Sequence, residues 1–367
     1  MKASRTSTQM VPESVVLAKR HARATGLNYV SDAEPGIGRR RCGEGFCYIG
    51  PDRRRVTSGR ILQRIRELAI PPAYNDVWIC RSPQGHLQAT GRDARRRKQY
   101  RYHPQWRVTR DAYKFNRMIE FGASLPALRR WLSKDLALPG LPKQKVLAVV
   151  VSLLDSTLLR IGNEAYARNN KSYGLTTLKA QHVKFLGDGR AFFCFRGKSG
   201  QRQEVILDDR RLAQLVRRCQ QLPGQQLFQY LDDAGQRQPV DSGMVNDYLK
   251  EAMDEQAFTA KDFRTWGATL QAVSFLATQH CQQQISQRAF NRCVAATAAH
   301  VAATLGNTPA VCRRSYINPE VFVLWRSGSL QSLLSGKAAT GRTLERQALK
   351  LLRSGLLSPK RRASLPR

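Results

Sequence analysis

The stretch Lys145 to Ile161, KVLAVVVSLLDSTLLRI, constrains the fold more than any other. It is apolar on nearly every side, so as a helix it has no face to give to water and must be surrounded by other elements. Its longest apolar run, Val146 to Leu154, is broken by Ser152 and followed by Asp155. That is well short of the ~18 residues a bilayer span requires, which makes it the buried centre of a helical domain. Arg160 closes the helix. A guanidinium at the end of an apolar helix needs a partner, either an internal carboxylate or a bound phosphate, and taken alone the salt bridge is the commoner.

Three strands follow as a meander: Gln181 to Leu186, Arg190 to Arg196 and Gln203 to Leu207. They are joined by Gly187-Asp188-Gly189 and by Gly197-Lys198-Ser199-Gly200, which places Lys198 at a flexible hairpin tip. The Gly-Lys-Ser is not a phosphate-binding loop. Phe192 stands where that motif needs its first glycine, and a strand follows where it needs a helix. Beyond Leu212 the pattern is helical. Phe258 to Trp266 starts one helix, with Lys261 and Arg264 on one face, and Thr269 to Leu305 has room for two or more. Leu344 to Leu352 is a last amphipathic segment, and the basic tail from Lys360 reads as disordered.

Upstream, Ala112 to Phe121 and Leu125 to Leu132 read as short helices. The region before them is turn-rich and strand-like, punctuated by Gly36, Gly38, Gly43 and Gly45. Phe46 to Ile49, Val77 to Cys80 and His86 to Thr90 are expected strands. Ile61, Leu62, Ile65 and Leu68 mark an amphipathic helix that Thr57 or Ser58 can cap and Pro71-Pro72 stops. The reading is α+β: a basic lead-in (1–28), a small mostly β N-terminal domain (29–110), a larger mostly α domain carrying the meander (111–340), and a C-terminal helix with a basic tail (341–367).

Charge narrows the partner. Lys and Arg number 61 against 27 Asp and Glu, a formal charge of +34 spread along the whole chain. Such a chain repels itself unless it works against a polyanion, and DNA or RNA is the obvious one. From Arg92 to Arg110, eight basic residues accompany one acid, Asp93, with Tyr100, Tyr102, His103 and Trp106 interleaved. Cations hold phosphates while flat rings pack on sugar or base, so the mixture suits a surface that faces nucleic acid. Val11 to Leu17 is too short and too interrupted for a secretory signal. The eight cysteines follow no regular framework, and Cys42 and Cys47 lack the second pair a zinc site wants. An intracellular protein with free thiols is the expectation, cytoplasmic and associated with the nucleoid.

The chemistry gathers near the carboxyl end, in LGNTPAVCRRSYINP, where Tyr316 follows Arg313 and Arg314. A phenol, with a reference pKa near ~10, attacks poorly at neutral pH unless positive charge favours its anion, and those two arginines are candidates to supply it. Arg160, Lys198, Lys261, Arg264, Asn307 and Tyr316 together offer an attacking oxygen, cations for the non-bridging oxygens of a phosphodiester, and an acid for the departing alkoxide. No DxD, acid-rich cluster or HxH points to a catalytic metal, and no cofactor is implied.

In these blocks the chain resembles the type IB DNA topoisomerases, in particular the short bacterial and poxvirus-like branch. The resemblance rests on IPPAY at Ile70 to Tyr74, GRDARRRKQYRYH at Gly91 to His103 and LLRIGNEAYARNNKSYGLTTL at Leu158 to Leu178. It continues through FRGKSG at Phe195 to Gly200, KDFRTW at Lys261 to Trp266, and LGNTP followed by RSY up to Tyr316. It implies that Tyr316 attacks phosphorus and becomes joined to the 3′ end, that Arg160 and Arg264 brace the non-bridging oxygens, and that Lys198 protonates the leaving 5′ oxygen, with Lys261 a helper. It further implies that Arg97, Lys98, Tyr100 and Tyr102 of the RKQYRYH block contact DNA, and that a monomer clamps the duplex and reseals it without ATP, on the fold shared by tyrosine recombinases and type IB topoisomerases. One position departs: the family's histidine is Asn307 here, whose amide can donate one neutral hydrogen bond to a phosphate oxygen. A tyrosine recombinase uses the same constellation but commonly has histidine at the Lys261 position and a helical amino-terminal domain. A non-catalytic basic coat protein is the alternative of a different class.

Overall fold

The computed structural model describes residues 13–94, 96–254, 256, 258–279, 285–334 and 341–356; the expected basic tail and Arg95 lie outside them. The chain divides between Phe115 and Asn116 into two units, a little beyond Arg110.

The first unit begins with α1 (Glu13–Ala24). Ala22 and Leu27 are buried against Trp106, with Tyr29 and Tyr102 beside them, so the second half of the expected lead-in belongs to a core. Its apolar residues are too sparse among the basic ones to make a period, but a single tryptophan gives them a surface to cover. A five-stranded antiparallel sheet follows, built from β1 (Ile37–Cys42), β2 (Gly45–Ile49), β3 (Asn75–Ile79), β4 (Leu87–Arg92) and β5 (Lys98–Tyr102), in the order β2-β1-β3-β4-β5. Sequence reading anticipated β2, β3 and β4. It missed β1 and β5 because both are dominated by charged residues, IGRRRC and KQYRY, and gain their strand identity from pairing: Gly38 to Cys42 along β2, and Lys98 to Tyr102 along β4. Between β2 and β3, α2 (Gly59–Glu67) sets Ile65 into a core of Ile37, Val77, Ile79 and Ala89. The Arg39 guanidinium donates to the carbonyls of Ile70, Pro71 and Tyr74 at 3.2, 3.0 and 2.5 Å, which ties the IPPAY turn to β1.

Where two short helices were expected there is one, α3 (Pro104–Leu136). The expected break near Gly122 is a packing site instead. A Cβ on Gly122 would sit 2.8 Å from the Trp266 ring, so the glycine admits an indole rather than ending the helix.

In the second unit, α4 (Lys143–Thr157) is the apolar stretch, and Val146, Ala148 to Val151, Leu153 and Leu154 are fully buried. Next come α5 (Glu164–Asn170) and the three-stranded sheet β6 (Val183–Phe185), β7 (Ala191–Arg196) and β8 (Arg202–Leu207), in order β6-β7-β8. This is the expected meander, with β7 paired to β8 from Ala191↔Leu207 to Arg196↔Arg202. Asp209 caps α6 (Arg210–Gln220) by accepting from the Leu212 amide. The β9 (Gln229–Leu231) and β10 (Arg237–Pro239) hairpin leads to α7 (Ser242–Ala252), α8 (Ala260–Ala277) and α9 (Gln287–Leu305). The chain closes with α10 (Pro309–Ser315), α11 (Glu320–Arg326), α12 (Ser329–Leu334) and α13 (Gly341–Leu356). α4 packs against β8, β9, α6, α7 and α8, as an all-round apolar helix must.

One ionic cluster ties the last helix into this unit. Arg129 on α3 donates to Asp155 on α4 at 2.8 and 3.1 Å and to Glu345 on α13 at 2.6 and 2.8 Å. These bonds, that to Glu345 foremost, hold the Arg129 pKa above its ordinary value despite burial. Arg129→Met keeps the volume but strands two partly buried carboxylates. It is expected to cost about 2 kcal/mol and to lower the melting temperature by several degrees, with Arg129→Lys restoring part of the loss. Unchanged melting of Arg129→Met would show that the cluster does not brace α13.

Candidate functional site

α4 ends on Leu158 in the left-handed region, φ 55°, which turns the chain sharply and leaves the Leu158 carbonyl free of the helix. The next residues are clamped by a second strand of chain. Leu175 and Thr176 donate their amides to the Arg160 and Ile161 carbonyls at 2.9 and 2.7 Å. Gly174 makes this approach possible, since a Cβ there would lie 2.6 Å from the Arg160 carbonyl oxygen. The block from Leu158 to Leu178 therefore exists to fix the backbone that carries Arg160.

Gly267 does the same service on α8. A Cβ would collide with the Leu158 side chain at 2.4 Å, and without one α8 lies close enough for Arg264 to reach the end of α4. Arg264 is 4% exposed. It donates through Nη1 to the Leu158 carbonyl and through Nη2 to the Leu305 carbonyl at 2.8 Å. Arg160 donates through Nη2 to the Gly306 carbonyl at 3.1 Å and to Asn307 Oδ1. Both guanidinium groups thus take carbonyls at the C-terminus of α9, where unpaired carbonyls and the helix dipole favour cations. Gly306 ends α9 with φ +59°, the left-handed conformation that glycine adopts without penalty.

Tyr316 caps the C-terminal end of α10, its amide donating to the Cys312 carbonyl at 2.9 Å. The Arg264 guanidinium carbon lies 5.5 Å from the centre of the Tyr316 ring. Burial, and next the like charge of Arg160, bring the Arg264 pKa down to about 10, with Tyr316 opposing the shift. Burial also lowers that of Arg160, again opposed by Tyr316. No carboxylate pairs with either arginine among the described residues, which answers the choice that sequence left open: the internal partners of Arg160 are neutral oxygens. Arg264 Nε is buried and has no hydrogen-bond partner among the described residues.

The structure thus brings together Arg160, Arg264, Asn307 and Tyr316. Arg313 and Arg314, expected from sequence as candidates to charge the surroundings of the phenol, are exposed, and the arginines whose own pKa values respond to Tyr316 come from α8 and from beyond the end of α4. Lys198 and Lys261 are exposed, and their side chains make no hydrogen bond or ion pair with a described residue. Lys198 sits where expected, in the turn between β7 and β8, with Ser199 at φ 62° and Gly200 at φ +78°. The Gln203 side chain lies against both ends of this arrangement. A Cβ on Gly197 would meet it at 2.7 Å and one on Gly306 at 2.5 Å, so the base of the lysine hairpin adjoins the turn before Asn307.

Sequence reading missed Gln203, Cys312 and Thr269. Cys312 is fully buried beneath the arginines, and burial raises its pKa. Thr269, also fully buried, accepts from the Asn318 amide at 3.2 Å and lies 3.3 Å from the Tyr316 carbonyl, holding the backbone that follows the tyrosine. Nothing in a lone threonine or glutamine signals such roles. Among the described residues no group of three or more His, Cys, Asp or Glu is placed to hold a metal ion.

In the first unit, two of the four candidate DNA contacts have internal partners. Arg97 pairs with Asp93 at 2.7 Å and Lys98 with Asp32 at 2.5 Å. Tyr100, 48% exposed, stacks on Tyr102 at 6.0 Å between ring centres, and Tyr102 also borders the Trp106 cluster.

Comparison with known proteins covers both units. The family model for the catalytic core of eukaryotic DNA topoisomerase I matches residues 103–320, and that for the N-terminal domain of bacterial DNA topoisomerase IB matches residues 45–93. DNA topoisomerase 1B of Acanthamoeba polyphaga mimivirus is 33% identical over 303 residues, 78% of this chain and 90% of the relative. DNA topoisomerase 1 of Daucus carota is 30% identical over 171 residues, 45% of this chain and 20% of the relative.

Thr269→Val removes the hydroxyl at nearly constant volume and leaves the Asn318 amide buried without an acceptor. The expected loss is about 1–3 kcal/mol, read as a lowered midpoint in urea. A midpoint equal to that of the unsubstituted protein would mean that Thr269 does not anchor the Tyr316 segment.

Proposed function

The chain belongs to the type IB DNA topoisomerase family and is an isomerase of that class; from this premise we propose that it relaxes supercoiled duplex DNA by cutting and resealing one strand, without ATP or metal. The observation that carries the reading is a buried guanidinium, Arg264, and a half-buried one, Arg160, beside Tyr316, neither paired with a carboxylate among the described residues. Buried cations satisfied only by neutral oxygens favour an anion in the site, and a phosphodiester supplies one.

In this reading the Tyr316 hydroxyl gives up its proton to solvent and its oxygen attacks phosphorus while the bond from phosphorus to the 5′ oxygen breaks. Arg160 and Arg264 stabilise the extra negative charge on the non-bridging oxygens as the five-coordinate state forms. Lys198 gives its proton to the departing 5′ oxygen, and Lys261 assists that transfer. The exposure of Lys198 and its lack of a partner among the described residues suit a group that meets its acid-base task only when DNA is bound. The products are a 3′-phosphotyrosyl bond and a free 5′ hydroxyl. Because one phosphodiester bond replaces another, the 5′ hydroxyl can reverse the exchange without external energy, and rotation of the cut strand in the interval releases supercoils. Arg97, Lys98, Tyr100 and Tyr102 contribute contacts to the duplex; for Arg97 and Lys98 this means exchanging a carboxylate for a phosphate. The net charge of +34 favours attachment along DNA, and we assign the protein to nucleoid DNA in the cytoplasm, acting as a monomer. No helix among the described residues is long and apolar enough to cross a membrane.

Supercoiled plasmid incubated with the protein in EDTA without nucleotide is expected to relax. Strand exchange between specific sites would instead indicate a recombinase, and gel retardation alone a coat protein. Tyr316→Phe is expected to bind DNA and yield no covalent complex; a protein-linked strand from that variant would remove Tyr316 from the nucleophile's role. Lys198→Ala is expected to slow cleavage of ordinary DNA by roughly 100-fold or more and to slow far less the cleavage of a strand whose 5′ bridging oxygen is sulfur, since a thiolate departs without a proton. Equal slowing on both substrates would exclude the lysine as the acid.

A further inference from the structure

We infer that Asn307 serves cleavage through its carbonyl oxygen, by holding Arg160 in position, and that its amide nitrogen does not donate to the phosphate. The inference rests on the reading of this site as a strand-cleaving centre. Sequence reasoning leads to the opposite expectation, an amide donating one hydrogen bond to a phosphate oxygen.

The orientation of the amide follows from its neighbours. A guanidinium has only donors, so the Asn307 atom facing Arg160 Nη2 must be Oδ1. The Nδ2 end then points inward. It is buried, has no oxygen or nitrogen acceptor among the described residues, and has the Cys312 thiol as its polar neighbour. Turning the amide over to aim Nδ2 at a ligand would set donor against donor at Arg160 and leave only the Gly306 carbonyl to hold that guanidinium. Arg160 Nη2 is thus committed inward to Gly306 and Asn307, while Nε and Nη1 have no partner among the described residues and are left for the substrate. Backbone contacts fix Gly306 and the Arg160 backbone, but among the described residues only Asn307 fixes the outer end of the Arg160 side chain with a side chain of its own. A positively charged imidazole could not accept from a guanidinium in this way. At this position, asparagine therefore does a different job from a cationic donor.

A double-mutant cycle on single-turnover formation of the covalent complex separates the two roles. Asn307→Ala is expected to slow cleavage roughly 10- to 100-fold, as loss of positioning does. In an Arg160→Ala background the same change is expected to cost less than about 3-fold, because the residue it acts through is already gone. Multiplicative losses would overturn the inference by showing that Asn307 acts on the substrate independently of Arg160. Methylphosphonate substrates give a readout that general structural damage does not move. The stereoisomer that cancels the defect of Arg160→Ala, by removing the charged oxygen it contacts, should also cancel that of Asn307→Ala, while a damaged fold would slow both isomers alike and also overturn the inference. Unchanged melting and DNA binding of Asn307→Ala are expected alongside. Absence of any covalent complex from the unsubstituted protein would sink the parent reading, an outcome distinct from multiplicative losses.

Discussion

Two arginines share the carboxyl end of α9 without a carboxylate between them. Arg264 is bound to the Leu158 and Leu305 carbonyls and Arg160 to the Gly306 carbonyl and the Asn307 side chain. Removing a charged group from water costs several kcal/mol, and neutral acceptors return only part of it. The depressed pKa of both side chains records that cost, and their mutual repulsion contributes to it at Arg264. Much of the second unit can be understood as the structure needed to keep this unfavourable pair in place. The left-handed turn at Leu158, the close approaches at Gly174 and Gly267, and the α9 terminus at Gly306 all position the carbonyls or backbones that the arginines depend on. An anion in the site would add the missing negative charge.

The parts of the fold that sequence revealed were those whose pattern is local. α4 was legible because an all-apolar helix has one kind of environment, and the β6-β7-β8 meander because its two glycine turns bracket strands of ordinary composition. Elements defined by their partners were not. β1 and β5 look like charged loops until their neighbouring strands are in place, α1 needs Trp106, and α3 runs through Gly122 because an indole from α8 fills the space beside it. The same division holds at the site. Tyr316, Arg160 and Arg264 sit in distinctive blocks of sequence, whereas Gln203, Thr269 and Cys312 matter through tertiary contacts that no spacing announces. Arg313 and Arg314 adjoin Tyr316 in sequence, yet both are exposed, whereas Arg160 and Arg264, from far away in the chain, lie beside it.

The first unit presents a different electrostatic arrangement. Its basic block is partly neutralised from within, by Asp93 for Arg97 and by Asp32 for Lys98. Exposed ion pairs contribute little to stability, so exchanging them for phosphate contacts on DNA costs little. Pre-paired side chains are also held near one geometry. Arg160 and Arg264 in the second unit have no carboxylate partner among the described residues, which sets them apart from Arg97 and Lys98.

Tryptic digestion of the protein after trapping on radiolabelled DNA, followed by mass spectrometry, tests the central claim most directly. The account predicts that the adduct lies on the peptide Ser315 to Arg326, at Tyr316, with the nucleotide joined through its 3′ phosphate and the other fragment ending in a 5′ hydroxyl. A nucleotide found on another residue, or joined through a 5′ phosphate, would contradict it.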